Sequence, residues 1–153
     1  MDRMPPKPTY FPQLAAERPD IALCRASTAV ARAAEAHASA QGLGVGQHLV
    51  LKMLAEVGAC SQQALAEELR IDRSVMVTVC DDLESSGYVR RERNPLDRRS
   101  YAVTLTREGS DRLHRAEAAT PAFLDDTFAA LTGAERTQLT TLLGKLLTPK
   151  PLP

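Results

Sequence analysis

Between Ser61 and Thr106 the spacing of apolar residues changes period once, at Gly87, and that switch restricts the chain to a few architectures. Before it, Leu65 and Leu69, then Met76, Val79, Cys80 and Leu83, recur every three or four residues, the mark of helices with one inward face. Ser61 and Asp72 are good N-caps, so the pattern predicts a short helix through Leu69 and another from Arg73 to Ser86. Gly87 is placed as the left-handed stop. After it, YVRRER and RSYAVTLT alternate around the turn Asn94-Pro95, which predicts a hairpin. Two short helices joined by a tight turn and followed by a hairpin make the winged helix-turn-helix plan.

The flanks read as helices. Leu23, Ala26, Val30, Ala33 and His37 form one stripe between Ile21 and Gln41, and Leu49, Val50, Met53, Leu54 and Val57 mark a second helix ending at Gly58. Thr106 caps a long stretch through Leu131, in which Pro121 is expected to kink or break the helix. Thr132 and Glu135 form a capping box for a last helix with Leu139, Leu142, Leu143 and Leu146. The expected class is α+β, mostly helical. Residues 1–19, with five prolines, are expected to be an irregular arm, and 149–153 a tail. Residues 20–60 and 107–148 make a helical dimerisation region around a DNA-binding region at 61–106. The grounds for a homodimer are apolar terminal-helix faces that one chain of this length cannot cover.

Charge distribution says more than total charge. The chain has 19 basic and 19 acidic residues, which argues against a general polyanion binder. Yet from Tyr88 to Arg107 the residues Arg90, Arg91, Arg93, Arg98, Arg99 and Arg107 stand against only Glu92 and Asp97, a net +4 on the hairpin segment. In this plan the second helix enters the major groove and the hairpin meets backbone or minor groove. On the outward face of that helix, Arg73 suits guanine, Ser74 and Thr78 suit phosphate or either base type, and Val77 suits a thymine methyl. Asp81 and Asp82 repel phosphate, so base reading is expected in the first two turns, with the aspartates solvated or paired to hairpin arginines. The arginine cluster, Arg90, Arg98 and Arg99 included, is assigned to DNA contact.

Other classes find little support. No apolar run approaches the roughly 18 residues of a membrane span, and the N-terminus lacks an apolar signal region, so a cytoplasmic protein is expected. Cys24, Cys60 and Cys80 are widely spaced with no C-x-x-C pair, and the three histidines are scattered, so no metal and no cofactor are expected. No nucleophile and base, phosphate loop or ligand triad suggests catalysis.

The stretch from Gln63 to Gly109 resembles the DNA-binding core of MarR-type transcriptional regulators. The residues that carry the likeness are Leu69, then Leu83-Glu84-Ser85-Ser86-Gly87, the tip Asp97-Arg98-Arg99, and Leu105-Thr106-Arg107-Glu108-Gly109. The resemblance implies a homodimer on a palindromic double-stranded operator, with first and last helices interlocked and a small-molecule or oxidant signal that changes the spacing of two reading heads. It implies that Arg99 is the wing arginine of the minor groove and Asp97 the carboxylate that orients it. Relatives often have a basic residue where this chain has Thr78 and Asp82, and glycine at the turn site held by Arg70. Arg25 and His48 lie where related regulators hold their effector, and their chemistry suits a small anionic or phenolic compound. The alternatives are a thiol switch at Cys24 or Cys60, with Cys80 read as packing, and a winged-helix module that binds protein.

Overall fold

The computed structural model describes residues 10–94 and 96–148, without the Arg98 side chain. The chain divides into two compact units, Met1–Gly42 and Leu43–Pro153. The first contains α1 (Tyr10–Glu17) and α2 (Pro19–Gln41). The irregular arm expected for residues 1–19 is therefore corrected over 10–17. Proline content misleads here because Pro12 falls in the first turn of α1 and Pro19 opens α2, where the missing N–H had no intrahelical partner to lose. Gly42 ends α2 at φ 65° and ψ 24°. Residues 1–9 and the expected tail at 149–153 lie outside the described residues.

The second unit runs α3 (Val45–Val57), β1 (Cys60–Ser61), α4 (Gln62–Leu69), α5 (Arg73–Ser85), β2 (Val89–Asn94), β3 (Asp97–Leu105), α6 (Arg107–Thr127) and α7 (Gly133–Leu147). The class is α+β and mostly helical, as the pattern indicated. Strand β1 was not foreseen, since two residues have no period to read. It exists by pairing Cys60 with Val103 and Ser61 with Ala102, giving an antiparallel sheet in the order β1-β3-β2. Ser61 also caps α4 by accepting the Ala64 N–H at 3.0 Å. Asp72 occupies the N-cap position of α5 but makes no side-chain cap bond.

One core holds this unit together. Val50, Leu51, Leu65, Met76, Cys80, Leu83, Val89 and Val103 are all less than 2% exposed, with Leu69, Ile71 and Val79 packed against them. Helix α3 gives Val50, Leu51 and Leu54 to this core. Helix α6 runs through Pro121 rather than breaking there, and ends at Thr127. Pro121 is exposed, and a carbonyl left without its donor on an exposed side can turn to water. Helix α7 carries the expected capping box: the Thr132 N–H donates to Glu135 Oε2 at 2.8 Å and the Glu135 N–H to Thr132 Oγ1 at 3.2 Å.

The glycines and threonine of the hairpin boundary have mechanical reasons. Gly87 takes φ +77° after α5. Its carbonyl accepts the Thr106 hydroxyl at 2.7 Å, and that hydroxyl accepts the Gly109 N–H at 3.0 Å. A Cβ on Gly109 would overlap the Tyr88 carbonyl oxygen and crowd Leu105, so only glycine allows this approach. The end of α5, the start of β2 and the first turn of α6 are thereby joined at one point.

Candidate nucleic-acid interface

Helix α5 presents two unlike faces. Met76, Cys80 and Leu83 are buried, whereas Arg73, Ser74, Val77 and Thr78 are exposed, in agreement with the periodicity. Arg73 lies 3.7 Å from Glu67 in a solvated pair of little energetic consequence, so its guanidinium is available to a ligand. An open recess of about 280 Å³ lies between α4 and the start of α5, lined by Gln62, Gln63, Ala66, Arg73, Met76 and Val77. The turn before α5 depends on Arg70, which adopts φ 54° and ψ 43°. Glycine would hold this left-handed geometry without the penalty of roughly 1–2 kcal/mol that a side chain incurs. Here the side chain also acts, donating from Nη2 to the Leu147 carbonyl at 2.7 Å.

The hairpin is fastened to α5 by Arg91. Its Nη2 lies 2.6 Å from Asp81 Oδ1 and donates to Gln62 Oε1 at 3.1 Å, while Nη1 lies 3.0 Å from Glu84 Oε2. Burial works against the charge of Arg91, but the bond to Asp81 and the charges of Asp81 and Glu84 outweigh it, so its pKa is raised. One aspartate is thus paired with a hairpin arginine, as the charge pattern suggested, and Asp82 is exposed. The junction also lines an open recess of about 530 Å³ with Gln62, Val77, Glu84 and Tyr101. Sequence reasoning missed Gln62 because a neutral amide gives no charge signal, and left Arg91 undistinguished among its neighbours.

Strand alternation sorts the remaining arginines. Arg91 pairs in register with Val103, and Val89 with Leu105, on the inward face, so Arg90, opposite Thr104, stands on the other face with Glu92 at 3.3 Å. The structure does not bring Arg90 to the α5 side. Arg99 is exposed at the hairpin tip, and its backbone N–H donates to Asp97 Oδ1 at 3.0 Å. Asp97 therefore orients Arg99 through the main chain. The tip has a second brace of the same kind, the Leu96 N–H donating to Asn94 Oδ1 at 3.0 Å. The Arg98 side chain lies outside the described residues.

Arg25 is exposed on α2, in the first unit. His48, on α3 of the second, lies with Nε2 2.7 Å from Glu117 Oε1, and Lys52 donates to that same oxygen at 3.0 Å. These two bonds hold the Glu117 carboxyl below its usual range. Lys52 was missed, although it lies one helical turn from His48. Cys80 is buried and Cys60 half-buried, and burial pushes both thiols up, away from the thiolate a sensor needs; Cys24 is exposed. Among the described residues no group of three or more His, Cys, Asp or Glu could hold a metal ion, and no helix is long and apolar enough to cross a membrane.

A profile of the MarR family matches residues 41–100. A putative transcriptional regulatory protein for the hcr operon of Thauera aromatica is 37% identical over 106 residues, which are 69% of this chain and 64% of that protein. The chain thus spans somewhat under two thirds of that relative's length. Among solved structures, BpsR of Bordetella bronchiseptica, determined to explain regulation of its DNA binding by 6-hydroxynicotinic acid, superposes with a TM-score of 0.80 at 26% identity, covering 94% of this chain and 99% of BpsR. A Mycobacterium tuberculosis MarR-family protein in complex with p-aminosalicylic acid gives a TM-score of 0.68 at 28% identity, covering 84% and 97%.

Proposed function

The chain belongs to the MarR family of winged helix-turn-helix regulators, and we propose that it is a cytoplasmic, homodimeric transcriptional regulator that binds a palindromic duplex and is released from it by a small aromatic acid or phenol. The observation that carries the DNA reading is the Arg91 junction. It spends one arginine on neutralising Asp81 and tying hairpin to helix, and leaves Arg73, Ser74, Thr78 and the braced Arg99, with the apolar Val77 among them, as the exposed reach of the same head. Arg73, Ser74, Val77 and Thr78 read bases and phosphates in the major groove, and Arg99, set by Asp97 and joined by Arg98, enters the minor groove, where narrow A·T-rich stretches favour a guanidinium. Arg90 is not counted in this set. With Thr78 and Asp82 where relatives often have basic residues, the recognition helix anchors phosphate weakly and much of the affinity falls on the wing.

The effector part of the proposal rests on Arg25 and His48, to be tested one at a time, and on the hydroxylated or amino-substituted aromatic acids named with the two solved relatives. Repression is the expected output, because a ligand that prefers a DNA-incompetent state lowers affinity by that preference. The test is duplex selection from a random pool by the parent protein, followed by titration. Arg99→Ala is expected to weaken binding by about 1–3 kcal/mol per head and Thr78→Ala by less. Arg25→Ala is expected to keep DNA affinity while losing the response to an aromatic acid. Selection of no duplex, with no salt-dependent binding to random DNA, would overturn the reading.

A further inference from the structure

Leu96 is 95% exposed, the most open of the exposed large hydrophobic residues among the described ones, and it stands at the tip of the hairpin. A leucine in that position is conspicuous because the neighbouring chemistry is polar: Asn94, Asp97 and Arg99, with Arg93 exposed one residue before Asn94. The Asn94 carboxamide accepts the Leu96 N–H and the Asp97 carboxylate accepts the Arg99 N–H, both at 3.0 Å, so side chains of the hairpin brace the main chain at Leu96 itself and at Arg99. Bonds of this kind restrict the main chain at Leu96 before any ligand arrives, which lowers the entropy lost on binding.

We infer that Leu96 enters the minor groove ahead of Arg99 as an apolar contact to sugar and base edges. The inference rests on the wing reading proposed above and extends it to a residue with no charge. The groove has two unlike parts that match the tip. Its phosphate rims attract the guanidiniums, while its walls and floor present sugar C–H groups and base edges, against which leucine side chains of minor-groove proteins lie or wedge. A leucine there adds affinity that salt does not weaken, and it favours steps that open easily, since an inserted side chain has to part or widen them.

The test compares variants of the full chain on the duplex that the parent protein selects from a random pool, titrated across a range of salt. Leu96→Ala is expected to weaken binding on the order of 3- to 10-fold, the loss of a partly buried side chain, with the slope of log affinity against log salt unchanged. Leu96→Met, which keeps the apolar volume, should bind as the parent does. Arg99→Ala should weaken binding and reduce the slope by about one for each wing engaged. If Leu96→Ala binds as tightly as the parent while Arg99→Ala shows its effect, the inference fails and the wing reading stands. If Leu96→Ala changes the slope, the leucine only positions the arginines and the inference is overturned. If neither variant differs from the parent, the wing reading itself is wrong, and Leu96 has no groove to enter.

Discussion

The reading head and the terminal helices spend their apolar residues in opposite ways. From α3 to β3 the inward residues Val50, Leu51, Leu54, Leu65, Met76, Leu83, Val89 and Val103 are buried in one cluster, and three elements, α3, α4 and α5, converge on Leu51, Leu65 and Met76, while Leu49, Val57 and Val75 stay exposed. Helix α2, at 23 residues, buries only Ala38, and α1 and α7 bury nothing. Leu23, Leu142, Leu146 and Leu147 are exposed, along with Tyr10 and Phe11. The first region is a small domain with its own core; the second has helical pattern without a completed partner. In the proposed dimer a second copy supplies that partner, and the contrast is the division of labour between a head that must keep its shape and arms that must find each other.

The sharpest way to break the contrast is to damage the head. Gly109→Ala forces a Cβ into the Tyr88 carbonyl, and its expected cost is on the order of 2–4 kcal/mol, read as a lower midpoint in denaturant. A variant as stable as the parent would show that the join between β2 and α6 can give. Next comes an arm. Leu146→Glu should leave secondary structure intact while weakening association by about 2 kcal/mol or more, shifting sedimentation at micromolar concentration from about 33 kDa toward the 16.6 kDa of one chain. A parent that is already monomeric would remove the explanation for the exposed faces.

Arg91→Ala probes the seam between helix and hairpin. The pairs it removes are partly exposed, so the stability change is expected to stay under about 1 kcal/mol, yet the wing loses its fastening to α5 and DNA binding should weaken more than stability does. Equal losses in both measurements would make Arg91 merely a packing residue. The smallest effect belongs to Glu117. Its folded pKa lies below the ordinary 4.5, so its contribution is complete above that value and is lost as pH falls through the lowered one. The stability gap between parent and Glu117→Gln should be constant near neutrality, modest given how solvated the group is, and should close below about pH 4.5.

Local chemistry made much of this legible. N-caps at Ser61, Thr106 and Thr132, the left-handed Gly87 and the alternation of the hairpin act within a few residues, and each appears where the chain announces it. What escaped was made by distance or by position. Strand β1 exists only through Val103 and Ala102, forty residues away. The Arg91 junction needs Gln62, Asp81 and Glu84 from two helices, and no spacing rule names the one arginine that reaches all three. Helix α1 was hidden by proline content, because a count of prolines ignores that a first turn accepts them. At the interface, the exposed face of α5 was readable from its period, whereas the face of the hairpin on which Arg90 stands required the sheet register.

The knot at Gly87, Thr106 and Gly109 makes α6 a lever with the whole reading head at its end. At about 1.5 Å per residue the 21 residues of α6 span about 32 Å, and because its Leu113 and Ala116 lie in the head's core and its first turn shares the knot's hydrogen bonds, this part of the helix turns with the head. Tilting α6 and the head together by about 6° about the far end of the helix sweeps the knot through roughly 3 Å, close to the rise of a single nucleotide step along one strand of a duplex. In the proposed dimer, a signal acting far from the DNA would then need only a slight change of pitch to put the two heads out of phase with the groove, and its response would be that of a ratchet tooth slipping one notch.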